Sequence, residues 1–327
     1  MNFSPFILNN RELSIFTTLE AELKFEPEKN YLFDLSYLTV IAVEGEKAQD
    51  FLQGQLSCDL RLVNPHTIRQ GAICNLKGRI LALMDVINWR GFKLVLPKDL
   101  SLATENSLSK IAMLSKVNLK LRDSYQIFGF YLTNPDDLLP ENFTLPWESL
   151  ELSANEEACC YSLSKQFYLL IIDKEKASHL SAAFINKQQF RGSLAWHQLQ
   201  LKRKSIEIYP ETRGLFLPHR LDLHLSGHLN FEKGCYKGQE IIARTHYRAT
   251  LKHSLELFSI ESSEPLEAGA KLFTLEQKTE VGELVDYCPL EANNYLIAVS
   301  ILKDAPKQVL IEKHLKPVQL ISLSSRE

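Results

Sequence analysis

A short segment rich in lysine and glycine holds the residue best suited to chemistry. It reads Lys233-Gly234-Cys235-Tyr236-Lys237-Gly238-Gln239-Glu240, so Lys233 and Lys237 flank the thiol of Cys235. The thiolate is the nucleophilic form of cysteine, and nearby ammonium groups and a helix N-terminus both favour it. The pattern therefore predicts a reactive Cys235 that is assisted by Lys233. A thiol that only packs within a turn is the alternative.

The same segment predicts a turn that leads into a helix. Gly234 and Gly238 allow backbone angles that other residues resist, and they let a ligand approach the main chain closely. The residues that follow have helical spacing from Gln239 onward. One face of the expected helix carries Ile241, Ile242 and Thr245, and the opposite face carries Glu240 and Arg244.

Four blocks of the sequence resemble, in the same order, the signature of the YgfZ family, folate-binding relatives of the glycine cleavage T-protein. Together they span about two-thirds of the chain. The blocks are Gly45 with Phe51-Leu52-Gln53-Gly54-Gln55-Leu56-Ser57-Cys58-Asp59, then Cys74-Asn75-Leu76-Lys77-Gly78-Arg79, then Phe216-Leu217-Pro218 with Leu221-Asp222-Leu223, and last the cysteine motif with Ile241-Ile242-Ala243-Arg244-Thr245.

This resemblance implies a fold, a ligand and a role. The fold would be α+β, with two mixed α/β domains and a small C-terminal β-barrel around a central folate pocket. The cofactor would be tetrahydrofolate or a derivative. The role would lie in tRNA modification and in the assembly or repair of iron–sulfur enzymes through Cys235, with tRNA-modifying and iron–sulfur enzymes as partners. The positions implied as folate-binding are Gly234, Tyr236, Gly238, Gln239, Glu240 and Arg244.

Two other functions stay open, so the sequence does not decide whether the chain is an enzyme. Aminomethyl transfer of the T-protein kind requires an acidic pair after a Gly-Gly turn, but alignment on Gly78-Arg79 places Ala82 and Leu83 there. Asp85 is close by, although a shift along a strand changes depth and can change face. A non-catalytic folate-sensing scaffold is the second alternative.

Composition excludes several classes of function. The chain has 327 residues, of which 45% are hydrophobic and 24% are charged, and its net charge of -3 provides no global attraction for nucleic acid or anionic membrane. Basic residues near the motif leave open a contact with a folate polyglutamate tail or with RNA phosphates. No apolar run could span a bilayer and no secretory signal is apparent, which predicts a cytoplasmic protein.

No metal site is predicted. The six cysteines include no C-x-x-C pair. His219, His224 and His228 lie near one another in sequence, but no Glu or Cys at ligand spacing accompanies them.

Hydrophobic patterns divide the chain into three expected domains. Residues 1–133 would form an N-terminal α+β domain, residues 134–250 a middle α+β domain with the cysteine motif, and residues 251–327 a barrel of short, regularly spaced strands. The turn-rich residues 134–137 suggest the first boundary. Helices are expected over 47–56, 174–186 and 193–202, and a further helix is expected to end near 114.

Overall fold

The computed structural model describes residues 4–276 and 278–323 and contains both helices and strands. The helices are α1 (Leu19–Glu22), α2 (Ala48–Gln55), α3 (Lys98–Leu114), α4 (Lys174–Asn186), α5 (Ser193–Lys202) and α6 (Gln239–Arg248). The strands are β1 (Phe6–Leu8), β2 (Arg11–Leu13), β3 (Tyr31–Asp34), β4 (Leu38–Glu44), β5 (Arg69–Cys74), β6 (Ile80–Asn88), β7 (Phe92–Pro97), β8 (Asn118–Arg122), β9 (Tyr125–Tyr131), β10 (Leu152–Ala154), β11 (Ala158–Ser164), β12 (Phe167–Asp173), β13 (Phe190–Arg191), β14 (His253–Glu261), β15 (Lys271–Phe273), β16 (Glu280–Glu291), β17 (Asn294–Leu302), β18 (Gln308–Ile311), β19 (Val318–Gln319) and β20 (Ile321–Ser322).

Three larger sheets carry most of these strands. The first has the order β5-β6-β7-β4-β8, the second β10-β11-β12-β9-β3-β13, and the third β19-β18-β15-β16-β17-β14-β20. Strand β13 runs parallel to β3, whereas β3 pairs antiparallel with β9 and β9 with β12. No helix in the described ranges is both long enough and apolar enough to cross a membrane.

The third sheet is a nearly closed barrel. Strand β19 at one edge contacts β14, which lies beside the opposite edge. All of its strands follow residue 252, and their short, regular spacing agrees with the barrel expected from the sequence. The α+β fold with a terminal barrel is therefore confirmed.

The second sheet combines strands from both sides of the turn at 134–137. Strands β3 and β9 precede the turn, and β10 to β13 follow it. The side chain of Asn30 fastens the turn to the sheet, because its Nδ2 donates to the carbonyls of Asn134 at 2.8 Å and Leu138 at 3.1 Å. The turn thus interrupts the chain within one sheet and does not separate two sheets, although the division into three domains itself stays a prediction.

Strand β6 shows how alternation positions side chains for a site. From Ile80 to Asp85, fully buried residues alternate with partly buried ones. A strand directs successive side chains to opposite faces. Leu83 and Asp85 consequently share one face, and Ala82 lies on the other.

Candidate functional site

The cysteine motif packs directly on the turn of the second sequence block, residues 74–79. A Cβ atom added at Gly78 would lie 3.1 Å from side-chain atoms of Ile241 and Ile242 in α6. A Cβ added at Gly238 would lie closer than 3.0 Å to the carbonyl oxygen of Asn75. Backbone therefore meets backbone at this contact, which only glycine permits.

The two glycines that flank Cys235 differ in what the structure demands of them. Gly238 has a φ of +85° and is the residue immediately before α6. Gly234 is exposed, and a Cβ added there would meet no atom within 4 Å. The left-handed turn needed to start the helix is made at Gly238 alone, and α6 begins at Gln239 as predicted.

Lys233 is buried and bonds to the end of α2. Its Nζ donates to the carbonyl oxygens of Gln53 at 2.7 Å, Leu56 at 2.6 Å and Cys58 at 2.7 Å. An ammonium has three N–H groups, so these bonds use all of them. A cation is also favourable at a helix C-terminus. The Lys233 ammonium is therefore hydrogen-bonded to these three carbonyls. Its assistance to the Cys235 thiolate stays a prediction.

Burial opposes the charge on this lysine. It lowers the pKa of Lys233 to about 8, while Cys58 and Asp59 act in the opposite direction. The ammonium also lies 5.0 Å from the ring centroid of Tyr236.

The backbone N–H of Lys237 donates to the carbonyl of Gly54 at 3.1 Å, which gives a further bond between the first and last sequence blocks.

We expect Lys233→Met to lower the free energy of unfolding by about 2 kcal/mol, because a methionine of similar length leaves three carbonyls at the end of α2 without their donor. Urea denaturation measures the change. Lys237→Met is the matched control, since the structure gives the Lys237 side chain no hydrogen bond within the described chain, and we expect it to stay within about 0.5 kcal/mol. Equal effects of the two variants would contradict the anchoring role.

Cys235 differs from the other cysteines in access. It is exposed, whereas Cys58, Cys74, Cys159, Cys160 and Cys288 are all buried. Burial raises the pKa of the Cys58 thiol to about 11 and that of the Cys74 thiol to about 12, which keeps both in the unreactive thiol form. Of the six, Cys235 is therefore the one that a substrate or partner can reach.

The remaining predicted positions fall into an inner and an outer group. The Tyr236 ring is buried, and its hydroxyl has no hydrogen-bond partner within the described chain. The Gln239 side chain accepts from the backbone N–H of Tyr236 at 3.1 Å and so holds the start of α6. Glu240 and Arg244 are exposed on the outer face of α6, as the helical spacing indicated.

A central cavity lies between the first sheet, α5 and the residues that precede the motif. It consists of two adjoining parts that share several lining residues, a smaller part of about 100 Å³ and a larger part of about 390 Å³. Both parts are lined by Gln70, Leu83, Leu163, Gln200, Ser205, Ile206 and His228. None of the residues from Lys233 to Glu240 contributes to this lining, so the structure does not bring the motif positions into the cavity.

Asp85 and Glu207 place two carboxyl groups in the wall of the smaller part. Gln70 donates to one oxygen of Asp85 at 2.9 Å, and the Tyr161 hydroxyl donates to the other at 3.0 Å. Burial raises the pKa of Asp85 to about 6 despite these two bonds. The like charge of Glu207 acts on this pKa in the same direction as burial.

Glu207 is instead paired with a cation. Arg11 donates to one of its oxygens at 2.9 Å, and the Tyr37 hydroxyl donates to the other at 2.9 Å. Arg11 also forms an ion pair with Asp99 at 2.8 Å. The two cavity carboxyl groups therefore differ: Glu207 faces a buried guanidinium, and Asp85 receives neutral donors only.

His228 adds a neutral imidazole to the cavity wall. Burial lowers its pKa to about 4, and its Nδ1 lies 2.8 Å from the Ser226 hydroxyl. His219 and His224 lie elsewhere, with ring centroids 5.0 Å apart, and the ring of His246 joins them at 5.7 Å from His219. In the described ranges no three His, Cys, Asp or Glu side chains are arranged to hold a metal ion.

Comparison with known proteins identifies relatives of this chain. No protein-family model matches it. The tRNA-modifying protein YgfZ of Colwellia psychrerythraea is 23% identical over 259 residues, which cover 78% of this chain and 80% of that protein. The YgfZ proteins of Buchnera aphidicola and Klebsiella pneumoniae are 28% and 25% identical, over 71% and 74% of this chain and 75% of each relative. The chain is similar to YgfZ proteins over most of its length.

The likeness to YgfZ was predicted from the four sequence blocks, and the fold agrees with it. The structure of glycine cleavage system aminomethyltransferase T from Bartonella henselae superimposes with a TM-score of 0.74 at 16% identity. The match covers 98% of this chain and 94% of that one. At this identity the match establishes the fold, so this YgfZ relative has the T-protein architecture.

The structure also shows which face of β6 carries Asp85. Ala82 and Leu83 are the positions where alignment of the turn led us to expect T-protein carboxylates, and Leu83 lines the cavity. A shift of two residues along a strand keeps the face and moves about 6.6 Å along the strand. Asp85 thus lies on the cavity face, one step farther along β6 than Leu83.

Sequence reasoning missed Gln70, Gln200, Glu207 and His228 as cavity residues. One signal was available for Gln200. Helix α5 carries His197, Gln198 and Gln200 among apolar residues without a separate polar face, and all three are buried. A helix of that composition is expected to place some polar side chains in an internal site.

Proposed function

We propose that this chain binds tetrahydrofolate or a derivative in the central cavity and acts, through Cys235, in tRNA modification and in the assembly or repair of iron–sulfur enzymes in the cytoplasm. Support for the role comes from the YgfZ relatives, whose names describe tRNA-modifying proteins. Support for the ligand comes from the cavity, whose wall combines apolar side chains with a few polar groups, as in small-molecule sites generally.

The observation that carries the proposal is the segment that joins the cavity to the thiol. His228 lines the cavity, and its carbonyl accepts from the Ser57 hydroxyl at 2.7 Å. The backbone of Asn230 donates to the Ser57 carbonyl at 3.0 Å, and Lys233 is held by the three carbonyls at the end of α2. The segment between His228 and Cys235 is thus hydrogen-bonded to the first sequence block at His228, Asn230 and Lys233.

This anchoring gives a route by which a ligand could affect the thiol. A folate that contacts His228 would act on a segment whose other end positions Cys235 at the surface. The buried lysine and the glycine contact at Gly238 keep that surface position fixed relative to the cavity. The chemistry would occur at an accessible thiol, and the folate would be sensed or used nearby.

We expect calorimetric titration to show one tetrahydrofolate bound per chain. Leu83→Trp is expected to abolish this binding, because Leu83 lines both parts of the cavity and an indole would fill the space. Leu102→Trp is the matched control, since Leu102 is 67% exposed on α3 and lies outside the cavity. The cavity assignment would be wrong if Leu83→Trp bound tetrahydrofolate like the unaltered chain, and the folate proposal would be wrong if the unaltered chain bound no tetrahydrofolate derivative.

Asp85 favours a second candidate, a folate-dependent one-carbon transferase, because it places a carboxyl group on the cavity face near the T-protein carboxylate positions. Turnover separates the candidates. A transferase must move the one-carbon unit from its tetrahydrofolate derivative to an added acceptor amine and so release tetrahydrofolate, whereas a non-catalytic folate sensor binds the same derivative and leaves it unchanged.

A further inference from the structure

We propose that Asp85 and Gln200 together recognise the ligand through an edge that carries N–H donors beside a carbonyl acceptor, as in a 2-amino-4-oxo heterocycle. The inference deepens the proposed function and rests on it. Asp85 and Gln200 would bind the ring of the ligand, and their hydrogen-bonding groups would determine which ring the cavity prefers.

Asp85 has unused accepting capacity. A carboxylate offers about four lone-pair positions, and the described residues fill one on each oxygen, from Gln70 and from Tyr161. No lysine or arginine is bonded to it within the described chain. A partly buried carboxylate without a cation gains from added N–H donors. The N–H and amino groups of an amino-lactam edge supply such donors in a parallel pair.

Gln200 has unused donating capacity. The residue is 7% exposed and lines both parts of the cavity. Its oxygen accepts from Arg203 at 3.3 Å, but its Nε2 has no partner within the described chain. An unpaired buried donor costs free energy, so the site gains when a ligand provides an acceptor. The carbonyl of the same heterocyclic edge is an acceptor of that kind.

Glu207 is the less suitable anchor, although it is also a carboxyl group in the wall of the smaller part. Both of its oxygens are engaged, one by Arg11 and the other by Tyr37. Because a guanidinium already stabilises its charge, a ligand N–H adds less there than at Asp85. The donor and acceptor left open in the cavity are accordingly the Gln200 amide and the Asp85 carboxyl.

Equilibrium binding of three probes to single-residue variants of the full chain tests the proposal. The probes are tetrahydrofolate, its 4-amino analogue and guanosine, which shares the 2-amino-4-oxo type of edge. We expect Asp85→Asn to weaken tetrahydrofolate binding about tenfold or more. We expect Gln200→Leu to remove the preference for the 4-oxo ring over the 4-amino ring, because the donor that selects the carbonyl is gone. Asp50→Asn, on the exposed face of α2, is the charge-matched control.

The outcomes separate the inference from the function on which it rests. Tetrahydrofolate bound equally well by Asp85→Asn and the unaltered chain would overturn the inference and leave the proposed function standing. Binding of guanosine in place of tetrahydrofolate, lost in Asp85→Asn, would support the recognition edge and overturn the folate assignment. No binding of any probe by the unaltered chain would overturn both. Thermal melting of each variant shows that it is folded, and the ring preference of Gln200→Leu is a readout that a purely structural role would not move.

Discussion

Cys235→Ser is expected to abolish the function of the chain in cells and to leave its stability unchanged. The thiol is exposed, so its replacement by a hydroxyl of similar size disturbs no packing, and we expect the free energy of unfolding to change by less than about 0.5 kcal/mol. A serine hydroxyl is not ionised at neutral pH and cannot replace a thiolate as nucleophile or metal ligand. Loss of function with retained stability would therefore identify the chemistry of the sulfur.

The measurement has a cellular part and a chemical part. Cells whose only copy of this gene encodes Cys235→Ser are compared with cells that carry the unaltered gene, for the modified nucleosides of their tRNA and for the activity of iron–sulfur enzymes. In the purified native chain, a soluble alkylating agent is expected to label Cys235 first, because the other five cysteines are buried. Denaturation should then open all six to the reagent.

A matched control and a contradicting result complete this experiment. Ser263→Ala changes an equally small exposed side chain on the barrel and is expected to have no effect on either cellular readout. Normal tRNA modification and normal iron–sulfur enzyme activity in the Cys235→Ser cells would refute the reactive-cysteine proposal. The folate-binding scaffold would then become the better account of this YgfZ relative.

Gly238→Ala is expected to lower the free energy of unfolding by about 3 kcal/mol or more. Two costs add at this position. A residue with a side chain at a φ of +85° costs about 1–2 kcal/mol. The new Cβ would also lie closer than 3.0 Å to the carbonyl oxygen of Asn75, so the backbone of the turn or of α6 must move. That movement would displace the contact that positions Cys235.

Two other glycines separate these costs in urea denaturation. Gly91 has a φ of +96° with no atom within 4 Å of an added Cβ, so Gly91→Ala reports the backbone cost alone. Gly234 combines open space with a φ outside the left-handed region, and Gly234→Ala is expected to change stability by less than about 0.5 kcal/mol. If Gly238→Ala cost no more than Gly91→Ala, the proposed contact between the second and fourth sequence blocks would be wrong.

Local patterns were sufficient to place individual elements. Helices α4 and α5 have the predicted bounds, and α6 begins at the predicted Gln239. Helical spacing and glycine position depend on neighbours a few residues apart, so the chain displays them directly. The exposure of Glu240 and Arg244 follows from the same spacing.

Long-range partners could not be read in this way. The turn at 134–137 looks like a domain boundary locally, but β9 before it pairs with β12 after it. Lysine near a cysteine suggests an ion pair with the thiolate, but the Lys233 ammonium bonds to carbonyls about 180 residues earlier in the chain. In both cases the interaction partner is distant in the sequence, so the local sequence around the residue does not reveal it.

The sequence by itself determined the family likeness, the order of the elements and the one cysteine motif worth testing, because each depends on residues that are neighbours along the chain. Only the tertiary structure decided that Cys235 is accessible, that the Lys233 ammonium is hydrogen-bonded to the end of α2, and that Asp85 lines the same cavity as Gln200 and Glu207. Burial and hydrogen-bond partners arise when distant segments pack together, and those two properties distinguish a reactive or ligand-binding side chain from an inert one.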